Sequence, residues 1–242
     1  MRRRVLVTRP QPGAAATAAR LETRGYAAVV LPLTEIRPLA ATWPDPETVD
    51  AVAATSANAL RHAPPARLAA FAGRPCFVVG AETATAARDA GFAAPVVGPG
   101  DAEGLVRTVT AALGKGRIMF ACGRQRRETF EQGLRAAGLA VEPVETYEAV
   151  AIERTDEVVV EALGGAPVEA ALLHSAGAAE ILAGMTARAP LARLFAATRF
   201  LCLSPRIADA LEGVGRERIL VADAPNETAL LAGLDGYCGN AP

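Results

Sequence analysis

Apolar and polar residues are distributed along this chain in blocks. Runs of about five apolar residues, each closed by a small or polar residue, alternate with amphipathic stretches of about ten to fifteen, the pattern of buried parallel strands linked by helices. The runs predict strands at 5–8, 29–32, 51–55, 76–79, 95–97, 118–121, 141–146, 171–174, 200–203 and 219–222. Helices that cover both faces of each sheet follow from the amphipathic stretches between them. The expected class is α/β.

The blocks also repeat. VLVTRP, an Ala-rich helix, a stop at Gly25 and a second strand, AVVLPLTEI, are matched by IMFACG, the helix RQRRETFEQGLRAA, a stop at Gly138 and the strand VEPVETYEAV. Val5 pairs with Ile118 and Gly25 with Gly138, both 113 positions on (118 − 5 and 138 − 25). AVAATSANAL matches AALLHSAGAAEIL, and CFVVGAETATAARDAG matches FLCLSPRIADALEGVG. The order is therefore A, B, A′, B′, which predicts two similar domains with a cleft between them. B and A′ are contiguous and can close one sheet, so the leading A must join B′. Residues 38–151 form an inserted domain and residues 1–37 with 152–242 a discontinuous one. The chain crosses between them near 36–41 and 149–153, where two adjacent connecting strands can serve as a hinge. TWPDPE and HAPPAR read as surface connectors, because Pro forces extended backbone.

Composition narrows the functional classes. In 242 residues, 51% apolar content suffices for two cores, and the net charge of −1 gives no general attraction to nucleic acid or an anionic membrane. The opening MRRRVLVTRP has too short an apolar run for a signal peptide, and no stretch approaches the roughly 20 apolar residues of a membrane span. A soluble, cytoplasmic protein is expected. Cys76, Cys122, Cys202 and Cys238 are widely spaced, and three of them lie in apolar strand patterns, where a thiol packs as a small hydrophobe. His62 and His174 are the two imidazoles and carry no metal-ligand spacing, so no metal site is expected.

Ligands of open parallel sheets sit beyond the carboxyl ends of the strands. This chain places small and polar residues there: Thr8-Arg9-Pro10, Thr55-Ser56-Ala57-Asn58, Gly80-Ala81-Glu82-Thr83, Cys122-Gly123-Arg124, His174-Ser175-Ala176-Gly177 and Leu203-Ser204-Pro205-Arg206. Converging helix amino termini bind anions without a high net charge. Each Ser, Thr or Asn there reads equally well as an ordinary helix cap. Arg9, Arg124, Arg126, Arg127 and Arg206 stand on or near these turns, where a guanidinium grips a carboxylate in two-pronged fashion; a solvated helix face is the other reading for Arg126 and Arg127. The Gly98–Gly104 loop fails as a dinucleotide fingerprint, since its third glycine is one residue late and Pro99 disrupts the first turn. It reads as a helix entry capped by Asp101. Tyr147 ends the A′ strand; its phenol stays protonated at neutral pH and so acts as donor or general acid, or else it is a packing residue with a wet tip.

VLVTRP, LPLTEIRP, TSANA, VVGAETATAARDAGF, GRQRRETFEQGLRAAG followed by Tyr147, HSAGAAEIL, LSPRIADAL and the late APNETALLAGL, in this order over nearly the whole chain, resemble uroporphyrinogen-III synthase. The resemblance implies two flavodoxin-like parallel-sheet domains joined by a two-stranded linker, one inserted into the other. It implies closure of the linear tetrapyrrole hydroxymethylbilane to uroporphyrinogen III, with loss of water, inversion of the last pyrrole ring and no cofactor. Tyr147 takes the catalytic role, hydrogen-bonding the departing hydroxyl. Arg9, Ser56, Asn58, Gly80, Thr83, Gly123, Arg124, Arg127, Ser175, Ala176 and Ser204 take the substrate's carboxylate arms. Arg206-Ile207 departs from the hydroxyl residues that some members carry after the Pro. A monomer is expected, fed by transient handover from hydroxymethylbilane synthase. The competing readings are a two-lobed small-molecule binding or regulatory protein without catalysis and, behind it, a nucleotide-dependent transferase.

Overall fold

The computed structural model describes residues 2–239. In chain order the elements are β1 (Arg4–Val7), α1 (Gly13–Thr23), β2 (Ala27–Val30), β3 (Thr34–Pro38), β4 (Ala51–Ala54), α2 (Ala57–Arg61), α3 (Pro65–Ala69), β5 (Cys76–Val78), α4 (Ala81–Asp89), β6 (Val96–Val97) and α5 (Ala102–Leu113). There follow β7 (Arg117–Gly123), α6 (Thr129–Ala136), β8 (Ala140–Ala151), α7 (Asp156–Ala162), β9 (Ala170–Leu173), α8 (Ala176–Thr186), α9 (Ala189–Phe195), β10 (Arg199–Cys202), α10 (Pro205–Asp209), β11 (Ile219–Val221) and α11 (Glu227–Gly239). Contacts group the described residues up to Glu35 and from Val150 onward into one unit, and Ile36–Ala149 into the other.

The first unit holds a five-stranded sheet of order β11-β10-β9-β1-β2, and its registered pairs are parallel. Counted along the chain this is the flavodoxin-like order 2-1-3-4-5. The second holds β3-β8-β7-β4-β5-β6, with β4 through β8 again paired in parallel. Exchanging the two halves of the repeat turns one order into the other, with β7, β8, β4, β5 and β6 in the places of β1, β2, β9, β10 and β11. The backbone keeps the offset bond for bond. Gly25 and Gly138 have φ of 86° and 83°. The N–H groups of Gly25 and Tyr26 bond Glu22 and Leu21, and those of Gly138 and Leu139 bond Arg135 and Leu134, all at 3.0 Å.

Side chains of successive strand residues point to opposite faces, and both faces of each sheet are covered. Leu6 packs into one core cluster while Val5 and Val7 pack into another. Val52 and Ala54 are likewise separated from Ala51 and Ala53. This is why the strands read as unbroken apolar runs. Each fully buried Leu, Val or Phe contributes about 1.5–3 kcal/mol.

Three expectations are corrected. AVVLPLTEI is not one strand: β2 ends at Val30, the Leu31 and Leu33 N–H groups still bond the Val7 and Thr8 carbonyls, and the chain then crosses to begin β3 beside β8 in the other sheet. That edge strand brings the described residues to eleven strands instead of ten, and β8 runs on to Ala151, beyond the expected end at 146. HAPPAR is not wholly a connector, because Pro65 opens α3, where its missing N–H is harmless. Helix α6 begins at Thr129, several residues later than the pattern RQRRETF suggests, and the arginines before it lie in a turn. No helix among the described residues is long and apolar enough to cross a membrane.

Candidate functional site

In the second unit the strand order reverses between β7 and β4, and a ligand crevice belongs at the carboxyl ends of those strands. Ser56 follows β4 in extended conformation, and its Oγ accepts the Asn58 N–H at 3.2 Å as the cap of α2. Tyr147 reaches it from β8, its hydroxyl donating to Ser56 Oγ at 3.2 Å. A bulge sets that reach: Cys122 faces Glu145 but Gly123 faces Tyr147, so Thr146 is the extra residue. Thr146 is buried, and its hydroxyl donates to the Ala59 carbonyl at 2.7 Å. The Arg124 N–H then bonds the Tyr147 carbonyl at 2.9 Å. A Cβ on Gly123 would stand 2.7 Å from Tyr147 Cζ and 2.9 Å from its hydroxyl, so only glycine admits the ring here.

Burial raises the Tyr147 phenol above its usual value, against the opposing effect of the Ser56 hydrogen bond. The group is therefore a neutral donor at physiological pH. His62 lies beside it, ring centres 6.2 Å apart, with Nε2 shielded from solvent and without a partner. Burial, then the charge of Arg61, lowers its pKa, leaving a neutral imidazole next to the phenol. Gly80 caps α4 in extended conformation, and Thr83 is buried one turn on. Strand β5 is the neighbour of β4, so Ser56, Asn58, Gly80, Thr83, Gly123 and Tyr147 all stand at one end of one sheet.

The arginines of this unit divide sharply. Arg124 is paired with Glu145 at 3.4 Å and Glu148 at 2.7 Å. Arg127 is exposed, and among the described residues no hydrogen bond or ion pair engages it. Arg126, read as a receptor or a solvated helix face, is neither. It donates to Glu131 at 2.6 Å, to Glu145 at 2.8 Å and to the Gly123 carbonyl at 3.1 Å. Those bonds, that of Arg126 foremost, hold the Glu145 carboxyl below its ordinary range.

The reversal in the first unit falls between β1 and β9. Ser175 caps α8 by accepting the Ala178 N–H at 3.3 Å, and Ala176 is the first residue of that helix. Ser204 sits at the cap of α10 with its side chain making no capping bond. Arg9 is already engaged, 3.3 Å from Glu227, whose carboxylate also accepts from Thr17 at 2.5 Å and from Arg20. The Arg9 guanidinium lies where a Cβ on Gly13 would be, 2.4 Å from its Nε. Glu227, at the start of the ETALLAGL helix, escaped notice because acidic residues are ordinary in a first turn. His174 stands near this group with both ring nitrogens shielded and unpartnered, and burial, with the charge of Arg9, lowers its pKa to about 4.

A concavity of about 670 Å³ in this unit, lined by Arg2, Arg3, Arg24, Gly25, Tyr26, Asp235 and Cys238, lies at the other end of the sheet and holds none of these residues. Among the described residues no three His, Cys, Asp or Glu side chains are grouped to hold a metal ion. Asp101 caps α5, its Oδ1 accepting the Gly104 N–H at 2.7 Å.

A family profile described as uroporphyrinogen-III synthase HemD matches residues 15–232. The chain belongs to the uroporphyrinogen-III synthase family. Among solved structures it is similar to uroporphyrinogen-III synthetase from Helicobacter pylori, at 17% identity and a TM-score of 0.62 over 98% of this chain and 100% of that one. It is also similar to a mutant uroporphyrinogen III synthase from Thermus thermophilus, at 21% identity and a TM-score of 0.54 over 98% of each chain. These likenesses establish the shared fold. No curated protein sequence matches. As a uroporphyrinogen-III synthase, the chain is a lyase of porphyrin and haem biosynthesis that performs a cyclisation in tetrapyrrole synthesis.

Proposed function

We propose that this chain closes hydroxymethylbilane to uroporphyrinogen III with Tyr147 as proton donor to the departing hydroxyl. The C–O bond of the hydroxymethyl arm breaks as the pyrrole nitrogen supplies electrons. The oxygen leaves as water with the proton donated to it, and an azafulvene remains. The last pyrrole attacks the azafulvene through its substituted α-carbon, forming a spiro-linked ring. The bond from that carbon to the neighbouring methylene bridge then breaks, giving a second azafulvene. The free α-carbon of the same pyrrole attacks this azafulvene and loses its proton, which leaves the ring aromatic and inverted. The observation that carries this reading is the neutral Tyr147 phenol, held by a bulge against Ser56 at the strand reversal.

Backbone N–H groups and hydroxyls at strand ends suit a polycarboxylate, because they orient acid arms without placing fixed charge beside each one. Ser56, Asn58, Gly80, Thr83, Gly123, Arg124 and Arg127 on the inserted lobe, residues 38–151, hold some arms. Arg9, Ser175, Ala176 and Ser204 hold others from the discontinuous lobe, residues 1–37 and 152–242. For Arg9 and Arg124 the substrate carboxylate exchanges with Glu227 or with Glu145 and Glu148. Holding a flexible chain in one closing geometry supplies much of the rate, since well-oriented intramolecular reactions recover several kcal/mol of barrier. The protein works as a cytoplasmic monomer that receives its substrate by transient handover from hydroxymethylbilane synthase.

The test supplies purified hydroxymethylbilane, oxidises the products and separates the porphyrin isomers. The inverted isomer should dominate and form faster than spontaneous closure; the uninverted isomer at the spontaneous rate refutes the reading. Tyr147→Phe should lower kcat by roughly 10²-fold at most, the lower end for a positioned acid. Unchanged turnover in that variant removes its chemical role.

A further inference from the structure

We infer that Arg126 is a positioning residue for the Tyr147 hydroxyl, acting through the β7–β8 bulge. The inference rests on the catalytic reading of Tyr147, but its geometry stands apart from it. Three segments meet at this one guanidinium: the end of β7 through the Gly123 carbonyl at 3.1 Å, β8 through Glu145 at 2.8 Å, and the first turn of α6 through Glu131 at 2.6 Å. Gly123 and Glu145 lie on either side of the register shift that leaves Thr146 unpaired and turns Tyr147 onto Gly123. A planar guanidinium suits this task, since its fixed fork sets angles as well as distances. Lysine offers its donors from a single point and lacks the separated Nε and Nη1 that reach Glu131 on one side and Glu145 with the Gly123 carbonyl on the other.

The burial pattern supports an organising role. Glu131 is only 4% exposed, and a buried carboxylate requires partners; it has Arg126 and, at 3.2 Å, Arg135. Arg135 reaches the same carboxylate but touches neither Gly123 nor Glu145, which makes it an internal control. The Tyr147 ring has little slack, because it rests where a Gly123 Cβ would be and its hydroxyl spans to Ser56. A shift of the Gly123 carbonyl therefore moves the surface on which the ring lies.

The experiment labels tyrosine at Cζ and records 13C NMR of the full chain without substrate, assigning Tyr147 among three tyrosines by its loss in Tyr147→Phe. Arg126→Met should move the Tyr147 signal and leave those of Tyr26 and Tyr237 in place, while Arg135→Met should move none. Should Arg126→Met not fold, Arg126→Lys, with its charge kept and its fork removed, provides the same readout. In turnover, Arg126→Met should lower kcat roughly tenfold to a hundredfold with KM little changed, the scale of a small misplacement. Combined with Tyr147→Phe it should add nothing, because both changes remove one effect. A Tyr147 signal that stays put, or losses that multiply in the double variant, overturns the inference. Full activity in Tyr147→Phe alone refutes only the catalytic role of the phenol, since the NMR shift still reports whether Arg126 holds it.

Discussion

His174 should make this protein acid-sensitive in a defined window. Its two ring nitrogens are shielded and have no partner, so the protonated ring loses water without gaining an acceptor, and its pKa falls from 6.5 to about 4. Below pH 6.5 the unfolded chain binds a proton that the folded ring refuses. The stability attached to this group is thus complete above pH 6.5 and is lost as pH falls towards 4. Between pH 8 and pH 5 the two values correspond to a loss of about 2 kcal/mol from this residue. Carboxylates such as Glu227, held low against its own burial by Thr17, Arg20, Arg9 and His174, titrate mainly below that window. The assay is urea unfolding at pH 8 and pH 5 for the parent and for His174→Phe, which fills similar space without ring nitrogens. The variant should lose about 2 kcal/mol less on acidification. With only two histidines in the chain, proton NMR also follows the ring directly. Titration of His174 near 6.5, or equal acid sensitivity in parent and variant, refutes the reasoning.

The remaining predictions concern the repeat and a cap. Gly25→Ala and Gly138→Ala should cost nearly the same, about 1–2 kcal/mol each, because both sites have φ near 85° with nothing within 4 Å of a new Cβ and the cost is backbone strain alone. Thermal or denaturant unfolding measures both, and costs that differ severalfold contradict the equivalence of the two turns. Asp101→Ala should cost about 1 kcal/mol by releasing the Gly104 N–H, and an unchanged unfolding midpoint argues against that cap.

Much of the architecture was legible because its causes are local. Strands buried on both faces must be apolar at every position, so β1, β4, β7, β9 and β10 stand out as runs. The left-handed turns after α1 and α6 need glycine, so the repeat kept Gly25 and Gly138. Strand β3 was not legible as a separate element, since nothing local in LPLTEI says that its two halves enter different sheets. The late start of α6 was equally hidden. RQRRE is made of good helix formers, and the turn exists because Arg126 finds Glu131, Glu145 and the Gly123 carbonyl once the strands are paired.

The sequence by itself determined the alternation of elements, the permuted repeat, the positions of the strand-end turns and the family. All of these depend on residue type and spacing along the chain. Only the tertiary structure decided which of the charged and polar residues are available and which are already used. Arg9 and Arg124 are matched by carboxylates, Arg127 is unengaged, Arg126 anchors a bulge, and Tyr147 meets Ser56 from 91 residues away. Such pairings depend on register and on side-chain reach across strands. A one-residue bulge changes them without leaving a mark in the hydrophobic pattern.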